Sequence, residues 1–330
     1  MEAVARQFAT NEHVLVIRNG WFSFRCMEIF DMGSIPTSHT VLKAQLAGDE
    51  QYAPHPIDDV VSKILEEKPA VVFAPHVETS TGMILSEEYI QAVGDAVHKT
   101  GGLLVLDCIA SGTVWLDMKK LGIDILISAP QKGWSGPACC GLVMLSAKAT
   151  FRMATTEETS FSLSLKKWVG IMDMYKEGGF GYHTTMPTDA LRSFHNISVE
   201  MMSVGMTTLK EAQIELGKKA RLVLENKGLI SVAAPGWDAP GVLVFYTPSS
   251  AASSVSSADI IGKFKEKGLQ LAAGVPWRID EPEGVQTFRV GLFGLDKLKN
   301  VDETVRILEE ALDQVLAEKN ETNERESVRV

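Results

Sequence analysis

Six short apolar runs, "HVLVIRNG", "HTVLKAQ", "AVVFAPH", "LLVLDCIAS", "DILISAP" and "GLVMLS", succeed one another between His13 and Ser146. Most are separated by longer segments of helical period, such as "IDDVVSKILEEK" and "SEEYIQAVGDAVHKTGG". A chain that alternates in this way cannot pair its strands through hairpins; it needs crossovers, so the pattern predicts an α/β fold with a mainly parallel sheet and helices on both faces. "EEKPA" and "HKTGG" end their helices at a proline and at glycines that can take a left-handed cap. From Thr188 to about Gly228 the pattern is helical almost throughout, with a soft break near Gly205. A second unit follows, with strands expected in "GVLVFYT", "LQLAAGV" and "TFRVGLFG" and helices in "SADIIGKFKEKG" and "VDETVRILEEALDQVLAEK". This divides the chain into a large domain over 1–205, a connecting helix over 206–228, a small α+β domain over 229–318 and an unstructured charged tail over 319–330.

With 330 residues, 45% of them hydrophobic and 22% charged, the chain can build such a two-domain core. Its net charge of -10 argues against a nucleic-acid or anionic-membrane partner, so any anionic ligand must be held locally. The four cysteines, Cys26, Cys108, Cys139 and Cys140, form no CxxC pair and no metal-ligand spacing, and Cys139–Cys140 reads as packing. No apolar stretch reaches the roughly 20 residues of a membrane span, and the first residues lack the apolar region of a secretory signal, which makes the cytoplasm the expected compartment.

In open parallel sheets ligands bind beyond the carboxyl ends of the strands, so polar residues that close apolar runs are the candidates for chemistry. "AVVFAPHVETSTG" closes on His76, Glu78, Thr79 and Ser80, "LLVLDCIAS" on Asp107, and "ILISAPQK" on Gln131 and Lys132. Asp107 and Lys132 are 25 positions apart (132 − 107), one strand-helix-strand step, which allows them to share a sheet edge. A lysine for a Schiff base, a carboxylate for a pyridine nitrogen and nearby hydroxyl donors are together what pyridoxal phosphate needs. Each also has a plainer reading: Lys132 a solvated charge, Asp107 a turn acid, Thr79 and Ser80 helix caps, His76 a satisfied buried histidine.

The stretch "HVETSTGM…VLDCIASGTVWLDMKKLGIDILISAPQKGWSGPACCGLVMLS" resembles the class V pyridoxal-phosphate aminotransferases, most closely the alanine/serine-glyoxylate group. That resemblance implies the type I fold of pyridoxal-phosphate transferases, with Lys132 binding the cofactor and moving the substrate proton, and Asp107 paired with the pyridine nitrogen. It further implies Gln131 at the phosphate, Ser80 and Thr79 near the ring oxygen, and Phe22 (with Trp21 as fallback) stacked over the ring. "GYHTTMP" resembles a loop that reaches the partner's phosphate in a homodimer with shared sites, which maps onto Tyr182 and Thr185. Arg289 in "TFRVGLFG" matches the arginine that binds the substrate α-carboxylate. Arg278, with Asp280, Glu281 and Glu283 beside it, reads as a surface residue, and core or interface packing is the plainer reading for Phe22 and Trp21. The family's phosphate turn precedes a Met-Glu-Ala helix, whereas the sequence here opens on "MEA"; the expectation is a late start or a shortened homologue. The implied activity moves an amino group from serine or alanine to glyoxylate or pyruvate by ping-pong steps. A lyase or desulfurase on the same scaffold, or a non-catalytic homologue, are the alternatives.

Overall fold

The computed structural model describes residues 1–250 and 253–327. The six apolar runs form one sheet of strands β1 (His13–Arg18), β2 (Ser38–Lys43), β3 (Val71–Pro75), β4 (Leu103–Asp107), β5 (Ile125–Ser128) and β6 (Leu142–Leu145). Their order is β6-β5-β4-β3-β1-β2, every pairing is parallel except β6 with β5, and that antiparallel strand closes one edge.

Period-two alternation sends successive side chains of one strand into two different cores. Val14, Val16, Val71, Phe73, Leu103 and Val105 face a core covered by α1 (Glu2–Phe8), α2 (Trp21–Gly33), α5 (Ala147–Thr155) and α6 (Leu165–Lys176). Leu15, Ile17, Val72, Leu104 and Leu106 face the opposite core under α3 (Ile57–Glu67) and α4 (Glu87–Lys99). Burying each such side chain contributes roughly 1.5–3 kcal/mol, which is why these strands read as continuous apolar runs. Helix α4 begins at Ser86, whose hydroxyl accepts the Tyr89 amide, and it ends before Gly101, whose φ of +82° is open mainly to glycine.

Two long helices, α7 (Thr188–Val204) and α8 (Met206–Asn226), meet at Gly205. Beyond them lies a three-stranded antiparallel sheet, β7 (Val242–Tyr246), β9 (Thr287–Gly291) and β8 (Ala272–Ala273), with β9 in the middle. Its core is shared with α8, α9 (Ser257–Glu266), α10 (Leu295–Leu298) and α11 (Val301–Ser327). The "LQLAAGV" run yields only the two residues of β8, and α11 continues through Ser327, into the segment read as an unstructured tail. That segment has no proline or glycine to stop a helix; residues 328–330 lie outside the described residues. No described helix is long and apolar enough to cross a membrane.

Candidate active site

Strand β1 has β2 on one side and β3 on the other, so the direction of strand succession reverses there. In open α/β sheets the crevice beyond such a switch point is where ligands bind. The residues that close the strands are Arg18, Lys43, Pro75, Asp107 and Ser128.

Asp107 ends β4 in register with Pro75 of β3 and Ile127 of β5. One carboxylate oxygen accepts the Ile109 amide at 2.9 Å, and no other hydrogen bond to this carboxylate is made among the described residues. Burial pushes its carboxyl up to about 6, against the pull of that amide and of the Met1 ammonium. Behind it, His76 is buried, its Nδ1 2.7 Å from the Ser111 hydroxyl, and burial beside Lys210 drops its pKa to about 3, which keeps it neutral.

Lys132 lies in the turn after β5, the neighbouring strand to β4. The turn is pinned by Trp134, whose indole donates to Ser128 Oγ at 3.1 Å and packs on Trp115 at 4.7 Å between centroids. It presses so close to the loop after Asp107 that a Cβ on Gly133 would stand 1.8 Å from the Gly112 carbonyl oxygen. Lys132 is half-buried and has no acidic partner among the described residues; its Nζ stands 5.6 Å from the Phe293 ring centroid. Burial, helped by the charge of Arg289, lowers its pKa below 10.5 and makes the neutral amine more available.

Arg289 is the middle residue of the middle strand of the small sheet, opposite Val244 and Ala272. Its neighbours Phe288 and Val290 are buried in the core that this sheet shares with α8 and α11, so alternation turns the arginine to the other face. Its Nε donates to Ala273 O at 2.8 Å, and its terminal nitrogens have no partner among the described residues. This leaves the bidentate edge that suits a carboxylate.

Glu78, fully buried, anchors the opening of α2. It accepts the Phe22 amide (3.1 Å), the Ser23 amide (2.9 Å) and hydroxyl (2.7 Å), and the Ser80 amide (3.2 Å) and hydroxyl (2.8 Å). A carboxylate is favoured there because it meets orphan amides and the positive end of the helix dipole. Ser80 donates to Glu78 and accepts the Trp21 amide at 2.8 Å, so both its capacities serve this helix start. Thr79 is half-buried, with a hydroxyl that makes no hydrogen bond among the described residues. Phe22 is half-buried with the Arg25 guanidinium 5.0 Å over its ring, and Gln131 is exposed. Tyr182 and Thr185 lie in an exposed loop before α7, their hydroxyls 3.3 Å apart.

The sequence reading did not include Glu78 as an organiser of the site, nor Phe293 as the ring against Lys132. Glu78 carried a signal, an acid closing the β3 run, whereas nothing in "GLFG" distinguished Phe293 from core. Cys26 lines a small cavity with Asp107 and Met1, and burial pushes its thiol up to about 12, an inert state. Cys139 and Cys140 are half-buried with sulfurs 3.8 Å apart.

The chemistry of this donor set fits pyridoxal phosphate. Asp107 offers a carboxylate oxygen free for a ring N–H, Lys132 an unpaired amine, and Arg289 two unused guanidinium nitrogens. The Asn19 side chain, 1% exposed at the end of β1, also has neither its oxygen nor its nitrogen paired among the described residues.

Comparison with known proteins gives the family and the fold. The family model described as Aminotransferase class-V matches residues 40–274. The chain is 24% identical over 261 residues to alanine–glyoxylate aminotransferase of Oryctolagus cuniculus, covering 78% of this chain and 64% of that protein. It is 24% identical over 313 residues to 2-aminoethylphosphonate–pyruvate transaminase of Vibrio vulnificus (strain CMCP6), covering 94% of this chain and 79% of that one. The fold superposes on the crystal structure of alanine–glyoxylate aminotransferase from Nostoc sp. with a TM-score of 0.77 at 19% identity, over 94% of this chain and 78% of the other. The chain belongs to the class-V aminotransferase family, whose cofactor is pyridoxal phosphate.

Proposed function

We propose that this chain is a pyridoxal-phosphate-dependent aminotransferase that moves an amino group from a small amino acid, serine or alanine, to a 2-oxo acid, glyoxylate or pyruvate. The observation that carries this reading is the isolated Lys132: a half-buried amine with no acidic partner among the described residues, its pKa lowered, beside Arg289 and one strand from Asp107. When bound, the cofactor supplies a carbonyl for the lysine and a ring that spreads negative charge. Lys132, once released, would take a proton at Nζ from the substrate α-carbon and deliver it to the cofactor's C4′ carbon, which bears the amino nitrogen. Asp107 holds a proton on the ring nitrogen through its free oxygen, and Arg289 fixes the α-carboxylate by its terminal nitrogens. Gln131 would contact the phosphate, Thr79 would lie toward the ring oxygen with Ser80 behind it holding the start of α2, and Phe22 would cover the ring.

The same reading makes the molecule a homodimer. Phe151, Phe161, Met172, Phe180 and Tyr182 are 59–86% exposed along α5, α6, the loop between them and the loop that follows, a concentration of exposed apolar side chains such as monomers seldom leave in water. A two-fold partner on that face would bring its Tyr182 and Thr185 toward the neighbouring phosphate. A desulfurase is disfavoured, because no cysteine follows Cys140.

Purified protein incubated with pyridoxal phosphate should acquire a visible band that serine or alanine bleaches and glyoxylate or pyruvate restores. Lys132→Ala should abolish borohydride fixation of the cofactor. A protein that stays colourless with added cofactor, or fixes it at another lysine, would refute the reading.

A further inference from the structure

Two guanidinium groups lie over the aromatic rings that open α2. Arg278 Cζ is 5.4 Å from the Trp21 ring centroid and 5.7 Å from that of Phe24, and Arg18 Cζ is 5.5 Å from the same Phe24 ring. The rings themselves form a tilted pair at 5.6 Å. Stacking fixes the plane of a guanidinium while leaving its N–H edge free.

That edge is unused in both residues. Neither side chain makes a hydrogen bond or an ion pair among the described residues, and the Arg18 Nε is buried without a partner. Two of the three acids near Arg278 in sequence are committed elsewhere, and the third, Glu283, makes no hydrogen bond or ion pair with it. Both oxygens of Asp280 accept from Lys43 Nζ, at 2.6 and 2.7 Å, and Glu281 accepts the amides of Trp277 (2.6 Å), Arg278 (3.0 Å) and Ile279 (2.9 Å). Those bonds hold a loop in which Arg278 and Asp280 sit at φ of +63° and +68°, conformations that an L-residue adopts at a cost. The strained loop sets an arginine over Trp21 and leaves its charge unneutralised by direct contact.

A chain of contacts links the pair to the proposed site. Arg18 closes β1 at the switch point, next to the unpaired Asn19 amide. The Trp21 amide is bonded to Ser80, which is bonded to Glu78, and the charge of Glu78 acts on Arg289. Arg289 in turn holds Ala273, five residues before Arg278. Burial lowers the pKa of the half-buried Arg18, and Asp280 and Glu281, which act on it through space without a direct bond, offset only part of that cost; an anion on its N–H edge would offset more.

We propose that Arg18 and Arg278 form a second oxyanion site that receives the distal carboxylate or phosphonate of an amino-acid or 2-oxo-acid substrate whose α-carboxylate is held by Arg289. This rests on the aminotransferase reading and adds a substrate class to it. A small acceptor leaves the second site empty, and a donor with two acid groups spans both.

The test is calorimetric titration of the full chain, with and without pyridoxal phosphate, using propionate, succinate and 3-phosphonopropionate, none of which can exchange an amino group. Succinate or 3-phosphonopropionate should bind at least about tenfold more tightly than propionate, and the tighter of the two identifies the distal group. The advantage should shrink to about twofold in Arg278→Gln, an exposed position whose replacement spares the core, and in Arg18→Gln where its melting temperature matches the parent. Equal affinity for all three ligands, or an advantage that survives Arg278→Gln, overturns the proposal. Visible absorbance recorded on the same samples separates the two readings. A coloured protein without the preference loses only the second site, and a colourless protein that shows it loses only the aminotransferase reading.

Discussion

Asp107 is a residue whose environment works against its charge until a cation meets it. Its folded pKa, near 6, lies above the 3.8 of the free carboxyl, so its contribution to stability is full below about pH 4 and is lost as pH rises through 6. Asp107→Asn should therefore raise the melting temperature of the cofactor-free protein at pH 8, with the gap closing toward pH 4, while cofactor absorbance is lost. A melting curve with no pH-dependent gap would contradict that. Gly133→Ala is the opposite case: a Cβ 1.8 Å from the Gly112 oxygen must displace the lysine turn, at about 1–3 kcal/mol or more, and should cut turnover far more than stability measured by urea unfolding. Asp107, Lys132 and Arg289 were legible in the sequence because each is a charge set at the end or in the middle of an apolar run. Glu78 was visible as an acid closing the β3 run, but its role was not, because its partners are amides 55 and 56 residues away, a relation that only the fold creates.

Among the elements, α2 is the one on which the crevice depends. Its N-cap is Gly20, which has no side chain; Ser23 accepts the Gly20 amide, while the Phe22 and Ser23 amides are capped by Glu78 from across the switch point. Glu78→Gln would place an NH2 group against N–H donors, and the loss should be about 3 kcal/mol in urea unfolding, with weakened binding at Arg18 and Arg278. A loss under about 0.5 kcal/mol would show that α2 opens without it. The strands were readable from their apolar runs, and α7 and α8 from their period and Gly205. Strand β8 was overread, since Gly274 packs against Thr287 and the chain turns away there; the end of α11 was underread, since charge without a breaker still permits a helix.

At the scale of the whole molecule, α8 ties the two sheets together. Thr113, in the loop after Asp107, donates to Leu209 O at 2.7 Å, and Lys210 reaches Trp115 O at 3.0 Å. From the same helix the buried Gln213 donates to Pro240 O (3.2 Å) and Leu292 O (3.4 Å), beside the strand that carries Arg289. No local pattern marks such a buried glutamine as a tie between domains. The apolar face around Phe180 sets the expected assembly: sedimentation should give a dimer at micromolar concentration, and Phe180→Glu should shift it toward monomer and weaken cofactor retention together. A parent protein that sediments as a monomer at tens of micromolar would remove the shared-site reading.

The strand order also bears on how the chain is made. Strand β1 lies one in from the β2 edge, and after β2 has covered one side of it, β3, β4, β5 and β6 join the other side in the order in which they leave the ribosome. Each new strand finds its docking edge already waiting, so the large sheet grows in one direction without leaving gaps to be filled later. Arg289 arrives only after that sheet is complete, and the crevice therefore gains its substrate-binding half as a late step of synthesis.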